Sequence, residues 1–226
     1  MANNKPTTRQ ATMVFTVYGF APSTSTQRVV MTLKEKNVPY EYVEIDFMNG
    51  EHKREEYLKK QPFGMLPYVE DDGFVLYESR AIARYIETKF KGQGTELIPT
   101  DLKALALFEQ GASIETSYFD LAGAIIFERL FKSINGLGES DEDIVKPLLE
   151  KLTATLDVYD KILSKQEYIG GNTFTLVDIF HLPYATYLHN EKVGLGSLIH
   201  DRPHVKAWWE KISSRQTWKD VVAGKV

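Results

Sequence analysis

The order of strand and helix patterns in the N-terminal part of the chain restricts its fold more than any other feature. The patterns run β-α-β-α-β-β-α, with strands at 13–18, 39–47, 66–70 and 74–77 and helices at 24–36, 50–61 and 78–90. A strand, a helix and a further strand in succession imply a right-handed crossover between parallel strands. The Asp71-Asp72-Gly73 turn then joins two antiparallel strands in a hairpin.

This order of elements is that of the thioredoxin-like fold, which we assign to residues 13–91. Residues 92–102 contain glycine and proline without a periodic pattern, so they are predicted to form a linker. Residues 103–226 show only helical periodicity and predict an all-helical domain. The predicted architecture is therefore an α+β domain followed by an all-α domain.

Local patterns add detail to both domains. In the second strand, alternation should place Val43, Ile45 and Phe47 on one face. In the helical domain, Thr175 and Asp178 have the spacing of a capping box at the start of a helix. Helices of this domain are predicted at 103–131, 141–164, 176–190 and 203–214.

Composition and charge argue against several classes of function. The 226 residues carry a net charge of −4, whereas a nucleic-acid partner requires a basic patch. No apolar run reaches the ~18 residues that a membrane span needs. Residues 1–12 lack the apolar segment of a secretory signal and are predicted to be a flexible tail. We therefore expect a cytoplasmic protein without a nucleic-acid or membrane partner.

The chain contains no cysteine, which excludes disulfides, thiolate–metal sites and a protein thiol as nucleophile. Any sulfur chemistry must therefore use the sulfur of a ligand. The five histidines do not have the spacing of a metal site, because Pro203 interrupts the one helical spacing, between His200 and His204. No metal is expected.

Four segments resemble, in the right order, the phi class of the cytosolic glutathione transferases, the serine-type enzymes of plants and fungi. The segments are VYGFAPSTSTQRV, EKNVPYEYVEID, NGEHKREEYLKKQPFGMLPYVEDDGFVLYESRAIARYI and YIGGNTFTLVDIFHLPY. The resemblance covers roughly residues 13–220. It implies a thioredoxin-like domain that binds glutathione and a helical domain that contributes a pocket for a hydrophobic substrate.

The resemblance also implies which residues bind glutathione, a tripeptide with two carboxylates, one ammonium group and a thiol. Glu78 faces the ammonium group, and Ser79 binds the γ-glutamyl carboxylate at a helix N-terminus, where the helix dipole favours an anion. Leu66 precedes a proline that the family has in the cis form, and its backbone pairs with the peptide backbone of glutathione. His52 and Lys53 meet the glycine carboxylate.

These assignments have structural alternatives. Ser79 could serve only as a helix cap, and Pro67 could be an ordinary proline at the start of a strand. His52 and Lys53 could belong to the solvated charge run EHKREE. Met65, which we also place in the glutathione site, stands where plant phi enzymes usually carry glutamine. A side-chain amide is therefore missing, whereas the backbone contacts of the next residue are unaffected.

Four consecutive hydroxyl residues, Ser23 to Thr26, stand between the first strand and the first helix. Lowering a thiol pKa from ~8.5 to ~7 takes roughly 2 kcal/mol, and one hydrogen bond to a charged group contributes ~1.5–3 kcal/mol. One hydroxyl is therefore enough to hold the glutathione thiolate. Aligned on the family motif, Ser23 is the catalytic serine. Thr24 and Ser25 are alternatives, one of which should cap the helix, and Tyr18 at the end of the first strand is another.

The hydrophobic substrate is expected to lie between the domains. Candidate pocket residues are Phe20, Tyr118 and Phe119, followed by Ile126 and Phe127. Most aromatic residues on a long buried helix belong to the core, which is the alternative here.

The resemblance implies an enzyme that adds glutathione to hydrophobic electrophiles and can also reduce organic hydroperoxides. It also implies a homodimer. The alternative function is a non-catalytic carrier of glutathione or hydrophobic ligands, or an interaction module with a transferase fold.

Overall fold

The computed structural model describes residues 15–226, so the predicted tail at 1–12 and the first two residues of the predicted strand at 13–18 lie outside the described residues. In the described part, four strands form one sheet in the order β2-β1-β3-β4. They are β1 Phe15–Gly19, β2 Tyr40–Glu44, β3 Tyr68–Asp71 and β4 Phe74–Tyr77. β1 runs parallel to β2, whereas β3 is antiparallel to both β1 and β4. The predicted thioredoxin-like topology is confirmed.

Helices cover the sheet where the sequence predicts them. They are α1 Thr24–Glu35, a 3-10 turn Glu51–Lys53, α2 Glu55–Leu58 and α3 Ser79–Lys89. Phe15 and Val17 of β1 pack with Val29 of α1 and Ile82 of α3 in one buried cluster. Tyr18 points to the opposite face, as the period of a strand requires.

The second strand is shorter than predicted. It ends at Glu44, and Tyr40 and Tyr42 pack against the core under α1 and α3, whereas Val43 is 38% exposed. Phe47 lies beyond the strand. Ile45, just beyond the strand, packs with Tyr18 on the opposite face, which Val43 shares through its pairing with Tyr18.

After α3, the described residues form helices joined by loops, apart from one isolated bridge between Tyr168 and Gly171. The helices are α4 Leu102–Ile114, α5 Leu121–Ile126, α6 Lys132–Ile134, α7 Glu142–Leu163, α8 Leu176–Leu188, α9 Ser197–His200, α10 Pro203–Ser213 and α11 Gln216–Val222. The long helix predicted at 103–131 is interrupted by two π turns, Glu115–Phe119 and Phe127–Phe131. Among the described residues, no helix has both the length and the apolar character to cross a membrane.

The buried helix α8 begins at the predicted capping box. The Thr175 side chain accepts the N–H of Val177, and the Asp178 carboxylate accepts the N–H of Thr175 at 2.9 Å. Trp208 of α10 donates its indole N–H to the same carboxylate, also at 2.9 Å. Burial raises the pKa of Asp178 to about 7, although these hydrogen bonds oppose the shift. The cap therefore joins α8 to α10 as well as starting α8.

His181 of α8 is buried in the helical core as a neutral imidazole. Its Nδ1 lies 2.7 Å from the carbonyl oxygen of Val177, so this nitrogen carries the proton. Its Nε2 accepts a hydrogen bond from the Tyr159 hydroxyl at 2.9 Å. Burial lowers the pKa of His181 to about 4, so the ring stays uncharged at pH 7.

We expect this histidine to make the protein less stable as the pH falls. An unfolded histidine titrates near ~6.5, whereas the folded one stays unprotonated until about pH 4. Its contribution is complete above the unfolded pKa and is lost as the pH falls towards the folded pKa, because the unfolded chain then binds the extra proton. Between pH 7 and 5 the loss is about 2 kcal/mol. Urea unfolding at the two pH values measures it.

The matched variant is His181→Gln, whose side chain keeps a donor and an acceptor but does not titrate. Between pH 7 and 5, both proteins should lose stability, but the free energy of unfolding of the variant should fall by about 2 kcal/mol less than that of the wild type. An equal fall in both proteins would show that other groups cause the acid sensitivity.

Candidate functional site

Strand pairing brings the predicted site segments to one edge of the sheet. Tyr68 of β3 pairs with Tyr18 of β1 and with Tyr77 of β4. If this register is continued by two residues, forward from Tyr18 and Tyr77 and backward from Tyr68, it places three segments side by side. They are the turn after β1, the residue before Pro67 and the start of α3. The sheet therefore brings together parts of the chain that are far apart in sequence.

Ser23 lies in the turn after β1 and is itself the cap of α1. Its Oγ accepts the N–H of Thr26 at 3.4 Å, and its ψ of 123° is extended, so the helix begins one residue later. The prediction that Thr24 or Ser25 caps the helix is therefore wrong. Ser25 Oγ instead accepts a hydrogen bond from the Arg28 guanidinium at 3.4 Å. A hydroxyl that accepts through its oxygen still has its proton to donate, so capping does not prevent Ser23 from holding an anion.

Tyr18 points away from this turn. Its ring stacks on Tyr68 at 4.4 Å between centroids, and its hydroxyl donates to Glu70 at 3.4 Å. Burial and the nearby charge of Glu70 raise the pKa of Tyr18. A tyrosine with a raised pKa and a carboxylate partner is a poor donor to a second anion.

His52 belongs to a column of three stacked rings that leads back to the Ser23 turn. Phe47 stacks on Phe20 with 5.4 Å between centroids and on His52 with 4.4 Å. Burial, with the charge of Lys53, lowers the pKa of His52, so the ring is neutral at pH 7. Its Nδ1 is buried without a hydrogen-bond partner. An unpaired buried polar atom is the kind of group that a ligand satisfies.

Lys53 connects the 3-10 turn to the loop before β3. Its Nζ donates to the carbonyl of Gly64 at 2.6 Å and lies 3.5 Å from that of Phe63. An ammonium group has three protons, so one remains for a carboxylate. In the same loop the backbone carbonyl of Met65 accepts the Tyr57 hydroxyl at 2.6 Å, and the Met65 side chain is exposed.

The peptide bond between Leu66 and Pro67 is cis, as the resemblance implies. β3 begins one residue later, at Tyr68. Leu66 therefore lies just ahead of the paired part of the sheet.

Glu78 and Ser79 form the start of α3. Glu78 precedes the helix in the left-handed region, with φ 72°, and its side chain is exposed and does not cap the helix. Ser79 is buried and is the first helical residue, so the alternative that Ser79 caps the helix is wrong. The helix N-terminus is left open to an anion.

A buried charge cluster, which sequence reasoning missed, joins this site to the helical domain. Glu115 in the first π turn accepts two hydrogen bonds from Arg80 of α3, both of 2.7 Å. Arg28 of α1 approaches the same carboxylate to 3.7 Å, and its Nε donates to the carbonyl of Phe180 at 3.0 Å. Asp120 accepts a further bond from Arg80 at 2.7 Å. The helices that follow Ser23 and Glu78 are thus fixed to one carboxylate.

The electrostatics of the cluster fit a permanently ionised Glu115. Burial raises its pKa, but the hydrogen bond from Arg80 and the charges of Arg28 and Arg80 outweigh burial, so the pKa lies below its ordinary value. Burial and the neighbouring Arg80 lower the pKa of Arg28. The sequence does not single out Glu115, because Glu109, Asp120 and Glu128 lie in the same predicted helix.

The predicted pocket residues are separated in the structure. Phe20 is half-buried in the ring column, and Phe127 is exposed on the second π turn. Phe119 is only 1% exposed and packs against Tyr159 and His181 in the helical core, so the prediction that it lines the pocket is wrong. Its neighbour Tyr118 is exposed. The two adjacent residues therefore face opposite ways on the same turn.

Ile126 is also buried in the core. In the described residues, no group of three or more histidine or carboxylate side chains is placed to hold a metal ion.

The chain matches family models over most of its length. The N-terminal domain model of glutathione S-transferase matches residues 13–88, and the C-terminal domain model matches residues 118–216. A relative from Arabidopsis thaliana, glutathione S-transferase PM239X14, is 46% identical over 85% of this chain and 88% of its own length.

Solved structures agree with the family models. Glutathione transferase F7 from Populus trichocarpa has a TM-score of 0.89 and 40% identity, and the match covers 94% of this chain and all of that one. Glutathione S-transferase I from mais, in complex with an atrazine glutathione conjugate, has a TM-score of 0.82 and 30% identity. That match covers 93% of this chain and 97% of the mais chain. The chain therefore belongs to the glutathione S-transferase family, in its phi class, and is an enzyme that uses glutathione as co-substrate.

Proposed function

We propose that Ser23 holds glutathione as its thiolate, which the enzyme then adds to hydrophobic electrophiles. The observation that carries this proposal is the place of the Ser23 hydroxyl. It stands at the N-terminus of α1, where the helix dipole favours an anion. Its oxygen accepts the N–H of Thr26, so its proton is available to donate to the sulfur. The sulfur of glutathione is the nucleophile, and the serine donates a hydrogen bond without forming a covalent bond.

The remaining glutathione contacts follow from the same edge of the sheet. The open N-terminus of α3 at Ser79 suits the γ-glutamyl carboxylate, and exposed Glu78 suits the ammonium group. The unpaired Nδ1 of His52 and the remaining proton of Lys53 suit the glycine carboxylate. The backbone of Leu66 is proposed to pair with the peptide between them.

In both reactions the glutathione thiolate is the nucleophile. With a chlorinated nitroaromatic substrate, sulfur bonds to the ring carbon and chloride leaves with the electron pair. With an organic hydroperoxide, sulfur bonds to the terminal oxygen, the O–O bond breaks, and the alkoxide leaves with the electron pair and takes a proton from water to become the alcohol. A second glutathione then converts the resulting sulfenic acid to a disulfide and water. We propose both activities for this site.

Turnover of glutathione with a chlorinated nitroaromatic and with cumene hydroperoxide tests the proposal. We expect measurable conjugation, and peroxidase activity from the same thiolate. Conjugation without peroxidase activity would restrict the proposal to electrophilic carbon. Glutathione binding without either activity would contradict it.

The second candidate function is a ligand carrier, which one feature favours. An open groove of about 400 Å³ lies between the C-terminal end of α7 and α10, outside the glutathione site. It is lined by Leu163, Gln166, Asn172, Trp208 and Lys211, among others. Binding of a hydrophobic dye that survives saturation with glutathione, in a protein without turnover, would favour the carrier.

We also propose that the protein is a cytoplasmic homodimer, as the family resemblance implies. Several large apolar side chains are exposed, among them Phe63 at 67% and Phe74, and packing against a second subunit would remove such surface from water. Sedimentation velocity should give twice the mass of the chain, and a monomer would contradict the proposal. The domain limits of 13–91 and 103–226, with the linker at 92–102, stay predictions.

A further inference from the structure

In the turn that carries Ser23, one peptide group is held by two hydrogen bonds, one at its N–H and one at its carbonyl. This group joins Pro22 to Ser23. Its N–H, from Ser23, donates to the carbonyl of Phe20 at 2.8 Å. Its carbonyl, from Pro22, accepts a hydrogen bond of 2.9 Å from the hydroxyl of Tyr187. The orientation of this peptide plane determines where the Ser23 side chain points.

The bond from Tyr187 differs from the other bonds in the turn, because it comes from the helical domain. The carbonyl of Ala21 is held by the side chain of Gln27 at 3.3 Å, from α1 itself. Tyr187 instead lies in the last turn of α8. The helical domain therefore contacts the turn at the peptide adjoining the proposed catalytic serine.

The environment of Tyr187 suits a fixed donor. Phe131, at the end of the second π turn, packs edge to face on its ring with 5.3 Å between centroids. Burial raises the pKa of the Tyr187 phenol, so the hydroxyl keeps its proton throughout the neutral range. A carbonyl can only accept, so the direction of the hydrogen bond is unambiguous.

We propose that Tyr187 is a positioning residue that aims the Ser23 hydroxyl at the glutathione sulfur. The inference rests on the proposed role of Ser23. Without the hydroxyl of Tyr187, the Pro22–Ser23 peptide can rotate, and the hydrogen bond from Ser23 to sulfur lengthens. The loss acts on the thiolate only, because the backbone and carboxylate contacts of glutathione come from other elements.

The test is Tyr187→Phe, which removes one oxygen atom and keeps the packing on Phe131. The pH profile of kcat/KM with a chlorinated nitroaromatic should shift upward by about 0.5–1 pH unit. At a pH one unit below the wild-type pKa, kcat/KM should be lower by roughly three- to tenfold. The affinity for S-methylglutathione, which has no ionisable thiol, should be unchanged.

Thr186→Val is the matched control. It removes a hydroxyl from the neighbouring residue of α8, and this hydroxyl has no hydrogen-bond partner in the structure. Its pH profile should coincide with that of the wild type. In a Ser23→Ala background, Tyr187→Phe should cause no further shift, because the two residues act on one hydrogen bond.

The outcomes separate this inference from the proposed function. If Ser23→Ala shifts the profile and Tyr187→Phe does not, the inference is overturned and the role of Ser23 stands. If neither variant shifts the profile, both are overturned. An equal loss of kcat/KM at every pH, or weaker binding of S-methylglutathione, would assign Tyr187 to packing and also overturn the inference.

Discussion

Glu115→Gln is expected to destabilise the protein by about 3–5 kcal/mol, the usual cost of removing one partner from a buried ion pair. The variant keeps the shape of the side chain but removes the charge that neutralises Arg28 and Arg80. Arg28 is almost completely buried, so water cannot replace the lost partner. Urea unfolding at a single protein concentration measures the change in free energy.

Glu109→Gln is the matched control, because it is the same substitution at a salt bridge on α4. Glu109 lies 3.4 Å from Arg84, and its side chain is 55% exposed. Solvent-exposed pairs contribute at most about 1 kcal/mol, so this variant should unfold almost as the wild type does. Similar losses in the two variants would contradict the importance that we give to the buried cluster.

Ser23→Ala is expected to lower kcat/KM by roughly 30-fold at a pH below the pKa of the bound thiol, because a rise of that pKa from ~7 to ~8.5 lowers the thiolate fraction by this factor. The variant removes a hydrogen bond to a charged sulfur, which contributes ~1.5–3 kcal/mol, and each 1.36 kcal/mol corresponds to about tenfold in rate. At high pH, where glutathione ionises without assistance, the two enzymes should approach one another. Initial rates with a chlorinated nitroaromatic across the pH range measure the effect.

Ser23 also caps α1, so the variant could lose activity through a frayed helix. The loss of a cap costs about 1 kcal/mol of stability. Ser23→Gly separates the two effects, because glycine costs only a few tenths of that as a cap and yet cannot donate to sulfur. We expect Ser23→Gly to be as inactive as Ser23→Ala. Activity restored in Ser23→Gly would contradict the role of the hydroxyl.

Features encoded by neighbouring residues could be predicted from the sequence. The hairpin turn is one example, since Asp72 and Gly73 both adopt positive φ, 50° and 82°, as an Asp-Gly turn prefers. The capping box of Thr175 and Asp178 is another. Each depends on side chains a few residues apart, so the pattern itself contains the physical cause.

Features that depend on distant residues could not be predicted in this way. Period-two alternation in β2 indicates which residues share a face, but not which face the helices cover, and the helices pack over Tyr40 and Tyr42. The pairing of Arg28 and Arg80 with Glu115 connects three helices, and no local spacing indicates it. Phe47 was assigned to a strand, whereas it stacks between Phe20 and His52.

The candidate site shows the same division. The resemblance supplied Ser23, His52 and Ser79 as single positions, and the register of the sheet explains why their segments meet. It did not reveal that Ser23 is itself the cap of α1. Nor did it indicate that Tyr187 reaches the peptide before Ser23. The run of four hydroxyls offers several equivalent caps, and the contact of Tyr187 joins residues 165 positions apart.

The central claim is that Ser23 lowers the pKa of the glutathione thiol, and direct titration of the bound thiolate by its ultraviolet absorbance tests it. The account predicts a pKa near ~7 for glutathione on the wild type and on Tyr18→Phe. On Ser23→Ala it predicts a value close to the ~8.5 of a free thiol. A wild-type pKa on Ser23→Ala, together with a free-thiol value on Tyr18→Phe, would contradict the account and assign the thiolate to the tyrosine.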